Sequence, residues 1–120
     1  SDGGGIYNGF GTVAVTGSRI LHNTATTTGG GMYNGVFSAG ATSVTGSCIV
    51  GNSAASVFNG AAGFEQTATG NWWGAPTGPN TPGADTTGGL VDTSDFLTAP
   101  ILGCPGLNMV YLPLVVNSNP

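Results

Sequence analysis

Apolar and polar residues along this chain fall into short runs, never into long amphipathic stretches. The run Thr12–Gly17, TVAVTG, alternates apolar with polar, the period-two pattern of a half-buried strand. No segment shows helical spacing, and glycine recurs too often for a long helix. The runs also recur. Residues 3–25 read GGGIYNGFGTVAVTGSRILHNTA, and residues 29–54 read GGGMYNGVFSAGATSVTGSCIVGNSA. A weaker copy, ASVFNGAAGFEQTATGNWWG, occupies residues 55–74. A repeat of this length, built of β-prone runs and Gly/Asn turns, predicts a solenoid in which each copy is one rung.

Aligning the copies gives the register. Ile6-Tyr7-Asn8-Gly9 matches Met32-Tyr33-Asn34-Gly35 and Val57-Phe58-Asn59-Gly60. Val15-Thr16-Gly17-Ser18-Arg19-Ile20 matches Val44-Thr45-Gly46-Ser47-Cys48-Ile49, and less closely Ala68-Thr69-Gly70-Asn71-Trp72-Trp73. Asn23 and Asn52 then mark a further corner in two copies. Copies that follow one another along one chain direction stack in parallel, about 4.8 Å apart, so equivalent side chains lie over each other. The expected ladders are Ile6, Met32 and Val57 in the interior, Tyr7, Tyr33 and Phe58 as an aromatic stack, and Asn8, Asn34 and Asn59 as an amide ladder. Val13, Val15, Ile20, Ile49 and Val50 are expected to fill the lumen.

Residues 1–74 are therefore read as the rungs. Residues 75–106 are read as an irregular wrap: Pro76, Pro79 and Pro82 punctuate its first part, and residues 90–100 have room for one short strand. Residues 107–120 form a β-prone tail. Its run Met109, Val110, Tyr111, Leu112, Leu114, Val115 and Val116 is interrupted by Pro113, which argues for an edge or added strand.

These motifs carry a resemblance. The two full copies resemble the Gly-rich right-handed parallel β-helix repeats, pectate-lyase-like in fold, of secreted bacterial surface proteins, a group that includes polymorphic outer-membrane-type repeats. NWWGAPTGP at 71–79 resembles the NWWG…SGP element that ends such helices, and GGLVDTSDFLT at 88–98 is similar to the segment that follows it. VYLPLVVN at 110–117 resembles the C-terminal ends of large secreted proteins of filamentous Chloroflexi-like bacteria. The resemblance implies an all-β fold: a short right-handed parallel β-helix of about three rungs, a loop-rich extension and a terminal strand. It also implies a secreted, cell-surface location. It is specific for fold and says little about activity.

Composition narrows the function classes. One basic and five acidic side chains make 5% charged residues, with no lysine, while 39% of the chain is hydrophobic. A nucleic-acid partner needs many cations and is excluded on that ground. No apolar run approaches the length of a membrane-spanning helix, so membrane insertion is not expected. A surface held in water by Thr, Ser and Asn carries little charge repulsion and favours association. The start at Ser1, inside repeat-like sequence, reads as a processed product or a fragment. Asn-X-Ser/Thr is absent, whereas Thr24 and Thr26 to Thr28 could carry O-glycans.

Chemistry-bearing residues are few. Asp92 and Asp95 are the one close acidic pair, fit for turn and cap roles or for a weak Ca²⁺ site. Arg19 and His22 become Cys48 and Gly51 in the next copy, so they read as solvated surface. Ser18 and His22 have no nearby Asp to orient a triad. No catalytic residue, cofactor or metal site is expected. Cys48 and Cys104 either pair in an oxidising compartment or leave Cys48 as a buried rung residue. Trp72 and Trp73 point to opposite faces of a strand, one plugging the end of the helix. The other either packs as an end cap or lies outside, where it can stack on a sugar.

Two or three rungs make a short solenoid, and the first has no polar cap. Its exposed strand edges invite another strand. The expectation is a non-enzymatic subunit of a self-assembling extracellular filament whose partners are copies of itself. Head-to-tail stacking or exchange of the Met109–Val116 strand would join them. The alternative is an adhesin or glycan-binding module.

Overall fold

The computed structural model describes residues 2–35 and 42–104. Among these residues every regular element is a strand, and no helix is long and apolar enough to cross a membrane. The first copy supplies β1 (Ile6–Asn8), β2 (Ala14–Thr16) and β3 (Arg19–Leu21). The second supplies β4 (Met32–Asn34), β5 (Ser43–Thr45) and β6 (Cys48–Val50). The third supplies β7 (Val57–Asn59) and β8 (Gln66–Thr67), and β9 (Thr87–Gly89) and β10 (Val91–Asp92) follow.

Like strands collect in three parallel sheets, ordered β1-β4-β7-β9, β2-β5-β8-β10 and β3-β6. The third sheet is extended by a parallel bridge from Cys48 to Trp72. The register follows the repeat. Ile6 pairs with Met32 and Met32 with Val57; Tyr7 pairs with Tyr33 and Tyr33 with Phe58; Asn8 pairs with Asn34 and Asn34 with Asn59. Val15 faces Val44 in the second sheet, and Ile20 faces Ile49 in the third.

One buried cluster draws on all three sheets: Ile20, Met32, Val44, Ile49, Val57, Ala68 and Trp73. Ile6, Val13 and Val15 of the first copy pack against it but stay half-buried. Their second-copy equivalents Met32 and Val44 are fully buried. Val50 departs from expectation. Because it alternates with inward-facing Ile49, it lies on the outer side of its strand, in a second cluster with Cys48, Trp72 and Cys104.

The parallel strands also run past residue 74. Thr87, Gly88 and Gly89 pair with Val57, Phe58 and Asn59, and Val91 and Asp92 pair with Gln66 and Thr67. β10 falls within residues 90–100, which had room for one short strand, whereas β9 falls where irregular chain was expected, has no apolar alternation and takes its extended form from an existing sheet edge. Gly88 occupies the place of the aromatic residue, since a Cβ there would stand 2.6 Å from the Phe58 ring. At the turn before the third sheet, Gly17, Gly46 and Gly70 have φ of 53°, 59° and 68°. No side chain crowds these glycines, so the left-handed backbone itself calls for them.

Candidate functional surface

Each turn between sheets carries a polar ladder running along the stack. At the first turn Asn8 Nδ2 donates to Asn34 Oδ1 at 3.1 Å, and Asn34 Nδ2 to Asn59 Oδ1 at 2.9 Å. Thr42 sits between, accepting from Asn8 Nδ2 and donating to Asn34 Oδ1, both at 2.7 Å. At the second turn Ser18 N–H donates to Ser47 Oγ at 3.0 Å, and Ser47 N–H to Asn71 Oδ1 at 2.9 Å. Amides and hydroxyls suit these places because they satisfy backbone groups that a turn leaves unpaired.

The third turn holds a residue that sequence reasoning missed. Asn23 Nδ2 donates to Asn52 Oδ1 at 3.1 Å, and Asn52 Nδ2 donates onward to Asp85 Oδ2 at 2.9 Å. Asp85 is only 8% exposed. Its Oδ1 also accepts from Gly51 N–H at 2.7 Å, and its Oδ2 from Asn52 N–H at 3.0 Å and Ser56 Oγ at 2.7 Å. It is the third member of the corner series that Asn23 and Asn52 begin.

On the outer side of the first sheet the aromatic rings stack. Tyr7 and Tyr33 lie 5.4 Å apart at an interplanar angle of 4°, and Tyr33 and Phe58 lie 5.5 Å apart at 7°. Burial pushes the Tyr33 phenol above its ordinary pKa, and the Asp2 carboxylate and Tyr7 add to the effect. Tyr7 ends the stack and is 58% exposed.

A strap covers the outer side of the third sheet. Gly70 N–H donates to Ser94 O at 3.3 Å and Leu97 N–H to Asn71 O at 2.8 Å, which begins the strap beside the third copy. Leu97 and Ile101 pack over Cys48 and Trp72 together with Leu21 and Val50. Cys104 is disulfide-bonded to Cys48, with Cα atoms 5.9 Å apart. Arg19 Nη1, in the first copy, donates to Gly103 O at 3.4 Å. The strap thus passes from the third copy back to the first.

This covering corrects the sugar-stacking expectation for the tryptophans. Trp73 is fully buried in the main core, and Trp72 is 5% exposed beneath the strap. Trp72 does lie on the outer side of its strand, but chain from some 25 residues downstream closes over it. Asp92 makes a turn: its Oδ1 accepts from Ser94 N–H and Oγ, and these bonds hold its carboxyl below the usual pKa. Asp95 occupies a left-handed turn position with φ 55°. His22, also left-handed at φ 55°, leans over Gly51. The described residues contain no group of three or more His, Cys, Asp or Glu that could hold a metal, and no ligand-sized cavity opens among them. The run from Met109 to Val116 lies outside the described residues.

The two ends of the stack differ. In a parallel pair, successive residues turn their N–H and C=O groups to alternate sides. Ile6 N–H donates to Gly31 O and Asn8 O accepts from Gly35 N–H, so the peptide groups of Tyr7 face away from β4. By the same alternation Ala14 and Thr16 face away from β5, and Arg19 and Leu21 away from β6. No described strand lies on that side of β1, β2 or β3. At the far end, Thr87 turns its outward N–H onto Asn80 Oδ1 at 2.9 Å, and Asn80 Nδ2 donates to Thr87 Oγ1 at 2.9 Å. The far edge is guarded by a side chain at β9, and among the described residues no strand covers the near edge. No family model, curated protein or solved structure matches the chain.

Proposed function

We propose that this chain is a non-enzymatic structural subunit of an extracellular self-assembling filament, with copies of itself as partners. In this reading the three parallel sheets are the faces of a short right-handed parallel β-helix of about three rungs. Neither nucleic acid nor membrane insertion has a part in it. The open edge of β1, β2 and β3 is the observation that carries the reading. Among the described residues no strand pairs with the outward peptide groups of Tyr7, Ala14, Arg19 and Leu21 or with the Thr16 N–H, above half-buried Ile6, Val13 and Val15, while Thr16 O takes Ser18 Oγ at 2.8 Å. A further strand would pair these groups and bury these side chains.

Two linkages meet that need: direct head-to-tail stacking, and a neighbour's Met109–Val116 strand added to the open edge. Asn80 on Thr87 blocks part of the far edge that stacking would use, so strand exchange is favoured. A disulfide fits an oxidising, extracellular setting. The adhesin reading loses its anchor, because Trp72 and Trp73 are buried.

Negative-stain microscopy of the full chain over a concentration series tests the proposal. Fibres are expected, with an axial reflection near ~4.8 Å. The double variant Ala14→Pro and Arg19→Pro removes outward N–H groups at exposed positions of β2 and β3 and should leave dispersed, folded particles. Dispersed wild-type particles at every concentration, or unaltered fibres from the proline variant, would overturn it.

A further inference from the structure

Asn8-Gly9, Asn34-Gly35 and Asn59-Gly60 are Asn-Gly pairs, and all of them stand at the first turn. Asparagine followed by glycine is open to a spontaneous reaction, because glycine puts no side chain in the way of its own nitrogen. That nitrogen attacks the asparagine Cγ. The N–Cγ bond forms, the Cγ–Nδ2 bond breaks, and the amide leaves as ammonia, carrying the peptide proton. Water then adds to either carbonyl of the cyclic imide, giving aspartate or isoaspartate. The reaction needs a peptide nitrogen that is free to give up its proton and to turn onto the side chain before it.

In the second and third copies that nitrogen is held. Gly35 N–H donates to Asn8 O and Gly60 N–H to Asn34 O, each at 2.7 Å. The first copy differs. Asn8 O faces β4, so the N–H across the same planar peptide, that of Gly9, faces away from β4. Among the described residues nothing accepts from it. β1 is also paired on one side only, whereas β4 lies between β1 and β7, and β7 between β4 and β9. An edge strand opens locally at lower cost than a strand paired on both sides. In such an opening the Asn8 amide leaves its bonds to Gly11 O, Asn34 Oδ1 and Thr42 Oγ1.

We propose that Asn8-Gly9 is a self-modification site, which converts to aspartate and isoaspartate while the near edge is uncovered, and that the preceding copy protects Asn34-Gly35 and Asn59-Gly60. A strand paired outside β1 supplies the acceptor that Gly9 lacks, so the site senses whether that edge is covered. The chemistry at Asn8 stands without the filament reading; its use as a clock on unassembled subunits rests on it. Conversion removes the Asn8 N–H donors and sets a buried carboxylate against Gly11 O and Asn34 Oδ1. Isoaspartate also adds a backbone carbon at the end of β1, which shifts the peptide groups that a neighbour pairs with. A subunit left unassembled thereby loses its near edge.

Peptide mapping by mass spectrometry tests this on the full-length chain, held at mildly alkaline pH and at concentrations where microscopy shows no fibres. Conversion at Asn8 should run about tenfold or more ahead of Asn34 and Asn59. Gly9→Ala should slow it with the circular dichroism unchanged, since the added Cβ meets only the edge of the Tyr7 ring, at 3.3 Å. No conversion at Asn8, equal conversion at all of these asparagines, or unaltered conversion in folded Gly9→Ala overturns the proposal. In fibres Asn8 should convert no faster than Asn34, and undiminished conversion there overturns the sensing of the edge. Absence of fibres at every concentration fails the filament reading alone and leaves the preference for Asn8 standing.

Discussion

Replacing Asp85 by Asn changes one atom and should cost the fold a large part of its stability. The carboxylate takes four donors: Gly51 N–H on Oδ1, and Asn52 N–H, Asn52 Nδ2 and Ser56 Oγ on Oδ2. An amide has one oxygen. In its best orientation that oxygen keeps the Asn52 and Ser56 donors, and its NH₂ then confronts Gly51 N–H. A part-buried donor left without an acceptor costs about 1–3 kcal/mol. The surviving bonds lose their charge assistance, which is worth up to about 1 kcal/mol each. Allowing for non-additivity within one network, the expected loss is roughly 2–4 kcal/mol, out of the ~5–15 typical of a domain. Urea unfolding followed by tryptophan fluorescence measures it. Trp73 is a direct reporter, because its carbonyl accepts from Asp85 N–H at 2.8 Å. Asp92→Asn, at an exposed turn, is the control and should stay within about 0.5 kcal/mol of the wild type. An Asp85→Asn protein as stable as that control would refute the argument that the third turn depends on this carboxylate.

Two further outcomes follow from the same geometry. The Tyr33 phenol has a raised pKa in the folded chain, so folding favours its neutral form. Its contribution is fully present below the unfolded value of about 10 and is lost as pH rises from there through the folded value. The phenolate absorbance difference between wild type and Tyr33→Phe should therefore show a midpoint above about 10, and a midpoint at or below 10 refutes the burial assigned to this ring. The Cys48–Cys104 link closes a loop with a sequence separation of 56, for which the chain-entropy model gives about 4 kcal/mol. Reduction should lower the urea midpoint accordingly and weaken the near-ultraviolet signal of Trp72; an unchanged unfolding curve would refute the strap's role.

The register of β1, β4 and β7 is legible in the chain because the same residue types return where equivalent positions stack. The Ile/Met/Val, Tyr/Tyr/Phe and Asn/Asn/Asn series need only spacing to be found. Asp85 is illegible for the converse reason. Asn23 and Asn52 stand three residues after Ile20 and Ile49, whereas Asp85 stands twelve after Trp73, beyond a proline-rich excursion, and with a changed residue type. β9 is hidden because Gly88 and Gly89 have no strand propensity of their own; pairing with β7 imposes their conformation. The burial of Trp72 is hidden because alternation assigns it an outer side and only the returning strap covers that side. Local pattern thus reports the stacking, and long-range closure decides what stays exposed.

That distinction bears on where function can reside. The three polar ladders and the aromatic stack join one copy to the next, so their energy appears only when copies are layered. At the far end the chain completes its own ladders: Asn59 donates to Phe64 O and Leu90 O, Asn52 to Asp85, and Asn80 meets Thr87. At the near end the first ladder closes within its own turn, Asn8 Nδ2 donating to Gly11 O at 3.1 Å. Tyr7 ends its stack exposed, and Ser18 Oγ turns back onto its own Thr16 O at 2.8 Å. An array finished on one side and unfinished on the other has polarity. Whatever strand satisfies the unfinished side must have the extended backbone and alternating apolar side chains of the copies themselves.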